Sequence, residues 1–254
     1  MPDPTERPPD SLRIVLLTNG SSHGWAIARA LHSRRIPIAA IVLERPDAAA
    51  LGSRALARLR RYGPRALAGA IARRVTGRIR RGSRRRTADW SALGAEVHSV
   101  PTLDGASSLA IVRRLAPDIV ILGGAPLLRG EILAIPRLGT LNAHPGLLPR
   151  YRGIDVVAWA ILNGDPVGVS VHLVDAGIDT GAICRTRHLA LRAGETLEEI
   201  QSRAEQEGAQ LMAEVVADAI TWGRIEASAP SERHPLRRRM DEGRMRQVRE
   251  RLAR

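Results

Sequence analysis

The sequence predicts an α/β fold built on a mostly parallel β-sheet with helices on both faces. Two observations support this prediction. Short, continuously apolar runs such as residues 12–17 (LRIVLL) are typical of strands buried on both faces. These runs alternate with segments of helical periodicity, and such alternation indicates parallel strands joined by crossover helices.

Local sequence signals predict the individual helices and strands. After the first strand, a polar turn leads into a helix with Trp25, Ala28 and Leu31 at helical spacing. A capping box, Thr196 with Glu199, opens a long helix over 196–222, and a shorter helix is predicted over 107–115. The remaining strands are predicted at 36–43, 95–100, 118–122, 167–174 and 182–190, the last two as an antiparallel or longer-strand addition to one end of the sheet.

Size and composition restrict the class of protein. The 254 residues suffice for one large α/β domain with a sizeable core. No apolar run approaches the roughly 20 residues that a membrane-spanning helix requires, and the first ten residues lack the order of a signal peptide. The single cysteine, Cys184, excludes an intrachain disulfide, and the histidines show no metal-ligand spacing. We therefore predict a cytoplasmic protein without a metal site.

The net charge of +13 is concentrated in two segments. Residues 51–90 contain thirteen arginines and one acid, and residues 231–254 contain nine arginines and four acids, so the remainder is mildly acidic. Apolar residues at helical spacing within 51–90 predict basic amphipathic helices inserted into the domain. We favour a solvated flap or an oligomer contact for this insertion; nucleic acid and an anionic membrane are alternative partners. The oligomeric state is left open.

Two polar motifs follow predicted strands. Asn142 and His144 lie two residues apart at the carboxyl end of a strand, where open α/β sheets place their sites, so their side chains are expected to share a face. A second polar run, residues 170–181, includes His172 and Asp179. An amide, an imidazole and a carboxylate without a nearby nucleophilic Ser or Cys point to direct attack of an amine on a carbonyl. In that chemistry, Asn142 donates a hydrogen bond to the oxyanion, and His144 acts as oxyanion partner and proton relay. Asp179 either fixes the His144 tautomer or receives the amine proton.

The order and spacing of these motifs resemble the folate-dependent formyltransferases, which include glycinamide ribonucleotide, methionyl-tRNA and amino-sugar enzymes. The resemblance rests on Asn142-x-His144-Pro-Gly-Leu-Leu-Pro, on Gly168-Val-Ser-Val-His172 and on Asp175-x-Gly-x-Asp179-x-Gly181. It implies a Rossmann-like domain that transfers a formyl group from 10-formyltetrahydrofolate to a primary amine, without a metal. Asn142, His144 and Asp179 would be catalytic.

The same resemblance implies the two binding regions. The folate would contact His172, the loop from Val174 to Asp179, and the backbone of Ala125, Pro126, Leu127 and Leu128. The turn Asn19, Gly20, Ser21 and Ser22 would bind a substrate phosphate with the N–H groups of a helix N-terminus. An equally weighted alternative for this turn is an ordinary strand-to-helix connection with Ser21 or Ser22 as N-cap.

The motifs and the charge distribution together predict the domain organisation and the acceptor. We predict a disordered leader at 1–11, a catalytic domain at 12–225 interrupted by the insertion, and a basic tail at 226–254 that adds one short helix or frays. The acceptor is predicted to be small and phosphorylated, with glycinamide ribonucleotide of purine biosynthesis first, an amino-sugar nucleotide second and methionyl-tRNA third. A non-catalytic protein that binds nucleic acid or membrane through its arginine-rich helices is the alternative from a different class.

Overall fold

The computed structural model describes residues 12–53, 55, 56, 59, 90–232 and 234–253. The predicted leader lies outside these residues, as does most of the predicted insertion. The described strands are, in order, β1 Ile14–Thr18, β2 Ala40–Glu44, β3 Glu96–Val100, β4 Ile119–Gly123, β5 Gly139–His144, β6 Val167–Leu173 and β7 Ile183–Leu189. The α-helices whose bounds are fully described are α1 Ser22–Ser33, α2 Ala106–Leu115, α3 Val156–Asn163, α4 Leu197–Trp222 and α5 Glu242–Leu252.

The seven described strands form one sheet in the order β3-β2-β1-β4-β5-β6-β7. Strands β1 to β5 are parallel, whereas β6 pairs antiparallel with both β5 and β7. The α/β fold and the antiparallel addition predicted from the sequence are therefore confirmed. The predicted second strand begins too early: the Ile36 N–H still donates to the Leu31 carbonyl of α1, Pro37 has no N–H to donate, and pairing with β1 starts only at Ala40.

Alternating side chains of the buried strands supply two cores. In β1, Ile14 and Leu16 belong to the core on one face of the sheet, and Val15 and Leu17 belong to the core on the other. Helices α1 and α4 pack together over the first core, and α2 contributes Val112 to the second. Both faces of the sheet are thus covered, which explains why β1 is apolar without alternation.

The segment after Pro235 adds a helix, α5, which packs against α3. Val248 of α5 is fully buried, and Met240 ahead of it is 6% exposed. An N-cap begins α5, because the Asp241 carboxylate accepts a hydrogen bond from the Arg244 N–H. The basic tail is therefore packed onto the domain over its described residues. No helix within the described ranges has the length and apolarity needed to cross a membrane.

Candidate active site

The candidate site begins with the antiparallel pairing of β5 and β6. Asn142 lies opposite His172 in this register, and His144 lies opposite Ser170. Because residues two apart on a strand share a face, the pairing brings both histidines and the asparagine to one side of the sheet. The His144 and His172 side chains are 5% and 2% exposed. The predicted common face of Asn142 and His144 is thus extended by a buried imidazole.

His172 holds the Asn142 amide in one orientation. Its Nδ1 lies 2.8 Å from the Leu173 carbonyl oxygen, which can only accept, so Nδ1 carries the proton. The unprotonated Nε2 then accepts a hydrogen bond from Asn142 Nδ2 at 3.2 Å. Burial lowers the pKa of His172, mainly by desolvation, and favours this neutral form. The amide keeps a second N–H available for a ligand oxygen.

The same reasoning assigns the tautomer of neutral His144. Its Nε2 lies 2.7 Å from the Tyr151 carbonyl oxygen and therefore donates to it. The Nδ1 lone pair faces the Asp179 carboxylate, whose Oδ2 lies 3.6 Å away. A lone pair and a carboxylate in this arrangement are two acceptors that face each other. Because neither group has a proton to donate to the other, the pair of His144 and Asp179 is suited to taking up one proton between them.

Asp179 reaches this position through an unusual backbone conformation. Its φ angle of +51° lies in the left-handed region, which non-glycine residues seldom adopt. The Gly153 N–H donates to Asp179 Oδ2 at 2.9 Å, and Asp179 Oδ1 lies 3.6 Å from His172 Nε2. The structure therefore brings all three predicted catalytic residues together. Their catalytic role stays a prediction.

A cavity of about 350 Å³ opens beside these side chains. It lies at the carboxyl ends of β1 and β4, where the strand order reverses direction and open α/β sheets bind ligands. Asn142 and His144 contribute to its wall, together with Asn19 from the turn after β1 and Ala125 from the segment after β4. Asp179 lines a second cavity, of about 490 Å³, together with Arg152.

Two further groups line this cavity. One is His23, the second residue of α1, and burial lowers its pKa, mainly by desolvation. Glu205 was missed by the sequence analysis; it lies on α4 and accepts a hydrogen bond from the Ser22 hydroxyl at 3.1 Å. The sequence does contain a signal for Glu205: this carboxylate lies between the small residues Ala204 and Gly208, which allow α4 to pack close to the sheet.

The turn after β1 has the geometry of a helix cap. Ser21 is the N-cap of α1, and its side chain accepts from the Gly24 N–H. The Asn19 side chain accepts from the Ser21 N–H at 3.0 Å. Gly20 adopts a φ of +74°. The strand-to-helix interpretation therefore describes the turn, and phosphate binding by residues 19–22 stays a prediction.

The predicted folate segment is only partly accessible. Leu127 is 47% exposed, whereas Leu128 is 1% exposed and packs in the core beneath β4. Val174 donates its N–H to the Thr140 carbonyl and packs on the same core. A ligand could meet Leu128 only through its backbone, as the resemblance implied. Among the described residues, no group of three or more His, Cys, Asp or Glu side chains has metal-binding geometry.

Comparison with known proteins agrees with this geometry. Residues 102–216 match the family model described as formyl transferase. This part of the chain is therefore similar to the formyltransferases. The matched residues run from the start of α2 to α4 and include Asn142, His144, His172 and Asp179.

Sequence relatives include methionyl-tRNA formyltransferases. The Cyanothece sp. enzyme is 40% identical over 117 residues, 45% of this chain and 35% of that protein. The Citrifermentans bemidjiense enzyme is 36% identical over 138 residues, 52% of this chain and 43% of that protein. The chain therefore matches less than half the length of these relatives.

Solved structures resemble a larger share of the chain. Glycinamide ribonucleotide transformylase 1 from Symbiobacterium toebii is 25% identical, with a TM-score of 0.57 over 87% of this chain and 95% of that one. A sugar N-formyltransferase from Shewanella sp. is 15% identical, with a TM-score of 0.60 over 95% of this chain and 88% of that one. The second likeness shows the fold alone.

Proposed function

We propose that this protein transfers a formyl group from 10-formyltetrahydrofolate to a primary amine. The observation that carries the proposal is the convergence of three side chains: Asn142 and His144 line a cavity at the switch point of the sheet, and the Asp179 carboxylate lies 3.6 Å from His144. The family match over 102–216 supports the same chemistry. The residues present supply an oxyanion donor and a proton acceptor, the two groups that formyl transfer to an amine requires.

In the proposed reaction, the acceptor amine attacks the formyl carbon, so that a new C–N bond forms and the carbonyl oxygen becomes an oxyanion. The free N–H of the Asn142 amide donates to that oxygen. The ammonium proton moves to the acceptor pair formed by His144 Nδ1 and Asp179. The bond from the formyl carbon to the donor nitrogen then breaks, and the proton is delivered to that nitrogen. The acceptor gains the formyl group, and tetrahydrofolate leaves.

Two acceptors are each favoured by a specific observation. The 40% identity to a methionyl-tRNA formyltransferase favours methionyl-tRNA. The structural match to a glycinamide ribonucleotide transformylase over 87% of the chain favours glycinamide ribonucleotide and a place in purine biosynthesis. An amino-sugar nucleotide, the other acceptor expected from the sequence, is supported by a likeness of fold.

Donor turnover tests the proposal directly. The purified chain is incubated with 10-formyltetrahydrofolate and each of the three acceptors separately, and formation of tetrahydrofolate and of the formylated product is measured. We expect product with one acceptor, and formation of that product slowed about 10²- to 10³-fold in the Asn142→Ala variant. Binding of a non-hydrolysable donor analogue is measured by calorimetry in parallel. If the chain neither binds the analogue nor consumes the donor with any acceptor, the proposal fails.

A further inference from the structure

The segment 234–240, here called the C-terminal strap, lies directly against the loop that follows β5. The Arg237 N–H donates to the Arg152 carbonyl at 2.8 Å, and the Ile154 N–H donates to the Arg237 carbonyl at 3.0 Å. Gly153 lies between these two bonds with a φ of +108°. A Cβ at this glycine would approach the Arg237 carbonyl oxygen to 2.2 Å. The close contact therefore depends on glycine at position 153.

The same loop also contacts the two groups proposed to accept the proton, His144 and Asp179. The Tyr151 carbonyl accepts the hydrogen bond that fixes the His144 tautomer. Two residues later, the Gly153 N–H donates to the Asp179 carboxylate at 2.9 Å. The loop therefore contacts the strap and both of these groups within four consecutive residues, 151–154. A displacement of the strap is expected to move both hydrogen-bond partners.

Arg237 fastens the strap to the loop through aromatic faces. Its guanidinium carbon lies 5.6 Å from the centroid of the Tyr151 ring and 5.5 Å from that of Trp159. Both distances are within the range of cation–π attraction. The Trp159 Nε1–H donates to the Arg238 carbonyl at 2.9 Å, which ties the strap to α3 as well. The Arg237 guanidinium thus contacts the rings of both Tyr151 and Trp159.

A second link runs from the strap to the loop that carries Asp179. The Arg152 Nε–H donates to the Ile178 carbonyl at 3.0 Å, and an Arg152 terminal N–H donates to the His234 carbonyl at 3.3 Å. Ile178 immediately precedes Asp179, whose backbone is in the left-handed region. The strap is therefore connected to the carboxylate by two routes, through Gly153 and through Arg152.

We infer that the C-terminal strap is a positioning element of the active site and that Arg237 is its principal positioning residue. The inference rests on the proposed function, because only that function makes this site an active site. The contacts that support it are the hydrogen bonds and cation–π contacts described above. The strap lies outside residues 102–216, which match the family model. It adds a support for His144 and Asp179 from a part of the chain that the sequence marks only as a basic tail.

Kinetics of the Arg237→Ala variant test the inference. We expect kcat to fall about 10- to 100-fold with the donor KM nearly unchanged, because misplacement of catalytic groups by about 1 Å costs up to ~100-fold in rate. Arg237→Lys keeps the charge but loses the flat stacking surface, so it should fall between the alanine variant and the wild type. Arg239→Ala, at an exposed position of the same strap, is the matched control and should leave kcat unchanged.

Nitrogen NMR of the His144 imidazole gives a readout that needs no acceptor. We expect the wild type to show the Nε2-protonated tautomer and Arg237→Ala to show a changed tautomer ratio. Trp159→Phe, which removes the bond to the Arg238 carbonyl and keeps the ring, gives a milder second variant if Arg237→Ala fails to fold. Unchanged imidazole signals and unchanged kcat beside a lowered melting temperature would overturn the inference. A wild type with the expected His144 signals but no formyl transfer would overturn the proposed function instead.

Discussion

The sheet has two halves that differ in polar groups and in backbone strain: a parallel half of β3, β2, β1 and β4, and an antiparallel half of β5, β6 and β7, whose pairings with one another are antiparallel. In the parallel half, the strands β1, β2 and β4 are buried and almost wholly apolar. The non-glycine residues with positive φ in that half, Arg35 and Ala116, lie where α1 and α2 end. In the antiparallel half, Asp155 and Asp179 adopt positive φ. Asp179 does so at the candidate site.

This difference separates stabilising from chemical features. A left-handed residue after a helix is an ordinary way to end it. A left-handed aspartate that faces two buried imidazoles is held by its surroundings, because that conformation costs of order 1–3 kcal/mol for such residues. The parallel half thus supplies a rigid support, and the antiparallel half supplies the reacting groups. Variants in the two halves are therefore expected to alter different quantities.

The largest effect is expected from Asp179→Asn. The amide cannot take up a proton, so kcat should fall about 10²- to 10⁴-fold, as for loss of other general bases. Asp175→Asn is the matched control on the same loop, because its carboxylate accepts from the Gly177 N–H and the Thr180 hydroxyl within the turn. Equal kcat values for the two variants would contradict the assignment of the proton acceptor.

Asn142→Ala should have the next largest effect. Loss of one oxyanion donor lowers kcat by about 10²- to 10³-fold in comparable sites. Binding of a donor analogue should change little, because the free N–H contributes mainly to the transition state. Steady-state kinetics and calorimetry measure the two quantities. If the variant loses affinity for the donor analogue and keeps its kcat, then Asn142 binds the donor and does not stabilise the oxyanion.

His172 should affect the rate through Asn142. His172→Leu removes the acceptor that orients the amide, and we expect kcat to fall about tenfold, the equivalent of ~1.4 kcal/mol. His172→Gln places an amide oxygen near the position of Nε2 and should restore most of the rate. If the glutamine variant is as slow as the leucine variant, then orientation of Asn142 does not explain the role of His172.

Burial of His172 also makes stability depend on pH. Burial lowers its pKa below the ordinary value of 6.5 in the folded chain. As the pH falls through that value, the unfolded chain takes up the proton first, so the free energy of unfolding decreases. His172→Gln removes this contribution and should lose less stability than the wild type between about pH 7.5 and about pH 5.5. Urea unfolding at the two pH values measures the difference; equal losses would indicate that His172 titrates normally.

The smallest effect is expected in the parallel half. Ser21→Ala removes the N-cap of α1 and should lower the free energy of unfolding by about 1 kcal/mol. Because Ser21 touches none of the proposed reacting groups, kcat should not change, while the acceptor KM reports any contact with substrate. Thr196→Ala, which removes the capping box of α4 far along the chain, is the control for stability. A large fall in kcat for Ser21→Ala would contradict the conclusion that the parallel half supports the fold and only the antiparallel half supplies reacting groups.

Much of the fold could be predicted because its signals are local. The apolar run of β1, the capping box at Thr196 and the alternation of β6 are patterns within a few residues, and each element was placed within a few residues of its observed bounds. The start of β2 was misplaced because pairing partners decide where a strand begins. Glu205 was missed for a similar reason, since only the packing of α4 brings it to the cavity.

The sequence by itself determined the fold class, the resemblance to formyltransferases and the spacing of Asn142, His144 and Asp179, because periodicity and motif order are properties of the chain. Tertiary structure decided how these residues act. The tautomers of His144 and His172 follow from carbonyl groups that lie near their ring nitrogens, and the position of Asp179 follows from the Gly153 N–H. The contact of the C-terminal strap with this loop joins residues about 85 positions apart, a separation over which no local pattern carries information.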